Sequence, residues 1–377
     1  MHLRELTLRN FRNFDHAELS FPSDLIFLIG ENAQGKTNLI ESVFLSCTGR
    51  SHRTSKDREM IQWKKEEALV RTKVDRKLGD SRIDILLRAH EKKRVRINGE
   101  PIHRLGELMG HLNSVIFSPE DLKLVKEGPV ERRRFMDMEL SQIRPKYFYY
   151  LQQYNRILNQ RNNLLKEIQN NPSLEKTLPV WNQQLAEAGS FIILQRHAFN
   201  ISLQKIAQEI HSRISRGSEQ LSLVYRSSIP FQEAALEEIR QNFLRELEIR
   251  QKEDIEKGRT GKGCHRDDII FHINGMDVRL FGSQGQKRTT VLSLKLSELE
   301  FMFRETGEYP LLLLDDAMSE LDSTRQRMLL EYIGKVQTFI AVTDQNQFPE
   351  IRGRDSQVFQ IRSGSAVPQE GGPFIQT

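Results

Sequence analysis

The sequence predicts an α/β fold of mixed sheets and helices, split by a mostly helical second lobe, and three observations carry that expectation. Residues 3–8 and 17–21 alternate apolar and polar side chains, the pattern of half-buried strands. Near the other end, residues 310–314 and 338–342 are short apolar runs separated by helical spacing, which reads as strand, helix, strand. Between the two ends, from Tyr147 to about Ser215, apolar residues recur every three or four positions. Strands at both ends with helices between them imply one layered α/β domain that the chain leaves and re-enters.

In chain order, residues 25–29 form a nearly continuous apolar run that stops at Gly30, the signature of a strand covered on both faces. A helix over 38–47 follows from the spacing of Leu39, Ile40, Val43 and Phe44. Three β-rich segments between Ala68 and Ile97, with the turn Asn98-Gly99, predict a meander at the edge of the first sheet. The helical lobe runs through Leu151, Tyr154, Leu158, Leu165 and Ile168, breaks at Asn170-Asn171-Pro172, and resumes through Leu178, Trp181, Leu185, Ala188, Ile192 and Phe199. A helix of roughly 35 residues is about 50 Å long, so a hairpin is expected rather than a long coiled-coil arm. After a strand at 221–225 and a charged helix at 233–257, Gly261-Lys262-Gly263 reads as the linker back to the first domain. A strand at 269–273, a helix at 286–303, the strand at 310–314, a helix at 323–333 and the strand at 338–342 follow, and the tail from Ser363 reads as loose. The expected division is 1–145 and 259–377 for the two parts of the α/β domain and 146–258 for the helical lobe.

With 377 residues, of which 38% are hydrophobic, the chain can bury a substantial core. Its 22 Gly and 12 Pro are near average, which excludes collagen-like and disordered classes. No basic-then-apolar leader opens the sequence and no apolar run approaches the roughly 20 residues that span a bilayer, so a soluble, cytoplasmic protein is expected. Two cysteines, Cys47 and Cys264, cannot build a disulfide scaffold and are expected as small buried side chains. The net charge is +5, yet residues 53–104 hold sixteen Lys/Arg against nine Asp/Glu, a local excess of +7. Such density suits a polyanion, while its plainer reading is a solvated sheet edge.

Gly30-Glu31-Asn32-Ala33-Gln34-Gly35-Lys36-Thr37 satisfies G-x-x-x-x-G-K-[ST] between an apolar strand and a helix opening near Asn38. Glycines let backbone N–H groups face phosphate oxygens, the lysine reaches the β- and γ-phosphates, and the threonine hydroxyl holds Mg²⁺. Residues 310–314 run into Asp315 and Asp316, so a metal carboxylate and a water-orienting carboxylate are expected at the carboxyl end of a parallel strand. Ser283-Gln284-Gly285-Gln286 opens a helix, with Ser283 placed to cap it and to offer donors to an anion.

These motifs stand in an order: phosphate loop, long insertion, Ser283 to Gln286, apolar strand with Asp315-Asp316, then Ser319-Glu320-Leu321-Asp322. That order resembles the ATP-binding-cassette ATPases of the SMC/Rad50 type and, within them, the RecF family of recombination-repair proteins. Further segments carry the likeness: Leu6-Thr7-Leu8-Arg9-Asn10-Phe11-Arg12-Asn13-Phe14, Gly49-Arg50-Ser51-His52-Arg53-Thr54, Phe117-Ser118-Pro119-Glu120-Asp121-Leu122, Arg132-Arg133-Arg134-Phe135-Met136-Asp137 and His265-Arg266-Asp267-Asp268. The resemblance implies an ATPase head split by the helical lobe, and a homodimer that closes around ATP and Mg²⁺. Ser283, Gln284, Gly285 and Gln286 would then meet the nucleotide of the other subunit, with Ser319 and Asp322 as D-loop residues. It also implies weak, DNA-stimulated hydrolysis, binding to double-stranded and gapped DNA, and RecA loading together with mediators of the RecO/RecR type. Three departures bear on this: Asp316 stands where most cassette ATPases have Glu, which predicts slow turnover; Thr343-Asp344 stands where many have the His sensor; and Ser283-Gln284 replaces Ser-Gly.

Expected DNA contacts are Arg53, Lys56, Lys64, Lys65, Arg71 and Lys73 in the basic stretch. Arg12 is a further family-based candidate for the nucleotide. Two alternatives are a transporter's ATP-binding subunit, which leaves residues 3–14 and 117–137 unexplained, and a chromosome-organising SMC head, for which roughly 110 intervening residues are too few.

Overall fold

The computed structural model describes residues 1–317, 321–343 and 355–369. The chain opens with β1 (His2–Phe11), β2 (Phe14–Ser20) and β3 (Leu25–Ile29), and β3 leads through the glycine-containing loop into α1 (Lys36–Thr48). Next come β4 (Glu67–Asp75), β5 (Ser81–Arg88), β6 (Arg94–Ile97), β7 (Glu100–Pro101) and β8 (Ser114–Phe117). Helices α2 (Lys123–Lys126), α3 (Pro129–Ile143), α4 (Pro145–Asn170) and α5 (Leu178–Ile214) precede β9 (Leu221–Arg226), α6 (Leu236–Ile249) and α7 (Gln251–Lys257). The last third holds β10 (Asp268–Ile273), β11 (Met276–Asp277), α8 (Val278–Phe281), α9 (Gln284–Thr306), β12 (Leu311–Asp315), α10 (Ser323–Ile333), β13 (Thr338–Val342), β14 (Ser356–Arg362) and β15 (Ser365–Pro368).

Two compact units result, one of residues 1–122 with 291–377 and one of residues 123–290. The divisions fall at Leu122/Lys123 and within α9 at Thr290/Val291, whereas the sequence suggested 145/146 and 258/259. Ion pairs explain the shift. Arg132 of α3 grips Asp268 of β10 through Nε at 2.7 Å and Nη2 at 2.9 Å, and Arg133 donates to the Asp267 carbonyl at 2.8 Å. Both belong to the second unit, so Gly261-Lys262-Gly263 is a turn inside it and not the linker back.

The first unit contains two six-stranded sheets. One is antiparallel, in the order β2-β1-β4-β5-β6-β7; the other runs β15-β14-β3-β13-β12-β8, parallel from β14 to β8 with β15 antiparallel at its edge. Strand β3 lies in the parallel sheet, and the meander continues the sheet of β1 and β2. The physical reason lies in the burial pattern: β1 buries Leu3, Leu6, Leu8 and Phe11 among exposed and half-exposed neighbours, while all five residues of β3, β12 and β13 are buried. Among the strands that escaped the sequence reading are β8, only four residues long, and β14, which pairs with β3. The expected loose tail also holds β15, paired with β14 over residues 365–368.

The second unit packs α4 along α5 and α5 against α6 and β9. The 37-residue α5 is about 55 Å long at 1.5 Å per residue and buries Leu185, Ile192, Phe199, Leu203 and Ile210. Arg196, 1% exposed, ties it to the rest: it donates to Asp137 at 2.8 Å, to the Cys264 carbonyl at 2.6 Å and to Asp267 at 3.3 Å. Tyr225 and the Ser228 N–H complete Asp267, whose carboxyl burial pushes upward despite these partners. Tyr147 joins Asp137 and Arg196, and the aromatic run that it opens is core at Tyr147 and Phe148 and surface at Tyr149. Among the described residues no helix is long and apolar enough to cross a membrane.

Candidate nucleotide-binding site

At the carboxyl end of β3 the chain turns through Gly30 to Gly35 into α1. Two glycines are dictated by space. A Cβ on Gly30 would collide with the Ile361 carbonyl of neighbouring β14, and Gly35 sits at φ +125°, where a side chain would also press on Asn13. Residues 31–33 are exposed at the crest of the loop, while Lys36 is 5% exposed. Its ammonium donates to the Gly30 carbonyl at 2.6 Å and the Glu31 carbonyl at 2.9 Å, inside the ring that the loop describes.

The parallel register brings β12 to the same end of the sheet, with β13 between it and β3. Thr37 Oγ1 donates to Asp315 Oδ1 at 2.8 Å, joining residues 278 apart in sequence. Burial pushes the Asp315 carboxyl above its ordinary range; the Thr37 hydrogen bond opposes this and the adjacent Asp316 charge adds to it. Asp316 follows at φ +51°, a left-handed conformation that costs a non-glycine residue energy and clusters at functional sites, and its N–H donates to Ala341 at 3.3 Å. A hydroxyl beside a buried carboxylate is a hard-oxygen donor set, so these residues fit Mg²⁺, and the loop's N–H groups with Lys36 fit a phosphate chain.

Other candidates lie elsewhere on the chain. Ser283 caps α9 in the second unit: its hydroxyl accepts from the Gln286 N–H at 3.1 Å and Gln286 Oε1 accepts from the Ser283 N–H at 2.9 Å, a reciprocal capping box. Ser283 and Gln284 are exposed, next to exposed Leu280 and Phe281. Asp322 caps α10 by accepting from the Arg325 N–H at 3.0 Å; Ser319 and Asp344 lie outside the described residues. Of the basic candidates, Arg71 is paired with Asp84 at 2.7 Å, Lys73 with Glu5 at 2.7 Å and Lys56 with Glu59 at 3.7 Å. The ammonium groups of Lys64 and Lys65 have no partner among the described residues. Arg12 is committed to Glu41 and the Glu59 carbonyl rather than to the loop.

Sequence reasoning missed Asn13, Glu41 and Ser51. Asn13 Nδ2 donates to the Gln34 carbonyl at 2.8 Å and Asn13 Oδ1 accepts from Asn38 at 2.8 Å, so the β1–β2 turn supports the loop crest. Glu41 is the one charged residue between Lys36 and Arg50, and that isolation was the available signal for it.

A split chain, a parallel sheet carrying the loop and the acidic strand end, and a separate unit bearing the serine cap define an ATPase head of the ATP-binding-cassette, SMC-like type. The family described as RecF/RecN/SMC N terminal domain matches residues 2–365. An SMC head from Pyrococcus furiosus shares the fold, with a TM-score of 0.55 at 14% identity over 98% of this chain and 96% of that one. The DNA replication and repair protein RecF of Alkaliphilus oremlandii is 46% identical over 365 residues, covering 97% of this chain and 99% of the relative. That of Bacillus subtilis is 41% identical over 370 residues, covering 97% and 100%. A solved structure described as the recombination mediator protein RecF with ATP in the RecFOR pathway superposes with a TM-score of 0.91 at 37% identity, covering 98% of this chain and 97% of that one. The chain therefore belongs to the RecF family of DNA replication and repair proteins.

Proposed function

We propose that the chain binds ATP with Mg²⁺ on residues 30–38, hydrolyses it slowly, and uses the triphosphate to join two copies on duplex DNA near single-strand gaps. In this role it assists RecA loading with mediators of the RecO/RecR type, in the cytoplasm. The supporting observation is the 2.8 Å bond from Thr37 to Asp315, which sets a metal-type oxygen pair beside the lysine-bearing loop. When bound, Mg²⁺ would neutralise charge developing on the phosphates. Lys36 would exchange the Gly30 and Glu31 carbonyls for phosphate oxygens, turning neutral acceptors into a charge-assisted pair. Asp316 would orient the attacking water, and its reach, one methylene shorter than that of Glu, favours a slow chemical step.

The exposed Ser283 cap, flanked by Leu280 at 61% and Phe281 at 65% exposure, supports a docking face for a second copy's nucleotide. Ser283→Arg is expected to leave nucleotide affinity within about twofold while blocking ATP-dependent pairing in sedimentation, because a bulky side chain occupies the donor position. Normal pairing by this variant would reject the contribution of Ser283 to the other subunit's site.

For DNA, Lys64 and Lys65 carry the expectation better than Arg71 or Lys73, whose charges are already offset. Neutralising both with Gln should reduce the slope of log affinity against log salt by about 2. An unchanged slope would place the footprint elsewhere.

A further inference from the structure

Glu41 lies on α1 with no exposed side-chain surface, a position where an unpaired carboxylate would be costly. Arg12 binds it in a fork, Nε to Oε2 at 2.8 Å and Nη2 to Oε1 at 2.6 Å, and the Ser51 hydroxyl donates to the same Oε1. These partners hold the carboxyl below its ordinary range against the opposing effect of burial. Arg12 spends its third nitrogen on the Glu59 carbonyl at 2.6 Å, so every nitrogen of that guanidinium is engaged.

Arg53 is held differently. Its Nη1 lies 3.5 Å from Glu41 Oε2 and donates to Asn38 Oδ1 at 2.8 Å. Asn38 Nδ2 then donates to Asn13 Oδ1, and Asn13 Nδ2 to the Gln34 carbonyl, each at 2.8 Å. Each donor along this line passes to the next acceptor in one direction, from a cation to the loop crest, the arrangement in which hydrogen bonds polarise one another. Ser51 Oγ also accepts from the N–H groups of Arg53 and Thr54, at 2.9 and 3.1 Å, so the turn bearing Arg53 is itself anchored to Glu41.

We propose that Glu41 is a positioning residue for the nucleotide loop: its buried carboxylate sets Arg53 and, through Asn38 and Asn13, the backbone of the loop at Gln34. The inference rests on the nucleotide-site reading above. The line organises the loop before ligand arrives, so losing the charge on Glu41 weakens binding without removing any group that touches nucleotide.

The test is a double-mutant cycle on the dissociation constants of ADP and ATP, read by calorimetry with the full chain. Glu41→Gln and Arg53→Ala should each weaken binding about tenfold, and the double variant about tenfold as well, because both cut one line. Arg53→Lys should restore part of the affinity with Glu41 present and none in the Glu41→Gln background. A double variant weakened about a hundredfold, or Glu41→Gln binding like the parent, overturns the proposal. Should Glu41→Gln fail to fold, Ser51→Ala replaces it in the cycle, and additivity with Arg53→Ala is again the overturning result. Lys36→Ala is the control: loss of binding there with an additive cycle rejects only the role of Glu41, whereas retained binding rejects the site.

Discussion

Lys36→Ala should raise the dissociation constant for ATP roughly a hundredfold, since truncating one partner of a desolvated charge pair costs about 2–5 kcal/mol. The magnitude follows from the position of the ammonium. At 5% exposure Lys36 is already stripped of most of its water and lies inside the loop against two carbonyls, so its exchange onto phosphate carries little further desolvation. The fold should survive, because the lysine bonds only to local carbonyls and the core of α1 is supplied by Leu39, Ile40, Val43 and Phe44. Calorimetric titration with ATP checks the affinity, and sedimentation with and without ATP checks pairing. A variant that binds ATP within threefold of the parent, or still pairs on its addition, would remove lysine from the site and the triphosphate from the interface.

The second large effect concerns stability. Arg196→Met should destabilise the second unit by about 3–5 kcal/mol, the usual cost of removing one partner of a buried ion network. Asp137 and Asp267 would lose their shared cation, and Asp267, fully buried in its side chain, has no access to water for compensation. The loss should appear as faster amide exchange in α3 and α5, which carry Asp137 and Arg196, and in β10, which Asp267 precedes, while β3 and α1 of the first unit stay protected. Replacing Asp137 and Asp267 by Asn in the same variant should recover part of the loss, because the uncompensated charges are then gone. Uniform exchange rates between parent and variant would mean that packing along α5, rather than the ion network, holds the unit.

Much of this was legible in the linear chain because the relevant signals are local. Apolar runs without alternation marked β3, β12 and β13, since strands covered on both faces need no polar side. The glycines and lysine of residues 30–36 specify their own turn, and the serine and glutamine three positions apart at 283 and 286 form a reciprocal cap from within one segment. Segments of four residues such as β8 gave no periodicity to read, and β14 derives its identity from a partner over 300 positions away.

Residue types and their order thus settled the strand–loop–helix grammar and the family, and marked Lys36, Thr37 and Asp315 as site candidates. Tertiary structure alone decided which strands share a sheet, where the two units divide, and which charges are already spent. Arg12 and Arg53 are alike in composition, yet one is forked onto Glu41 and the other leads a line of hydrogen bonds to Gln34. Pairing of this kind depends on distances between residues remote in sequence, and the interaction of two charges changes severalfold on burial, which no local pattern encodes.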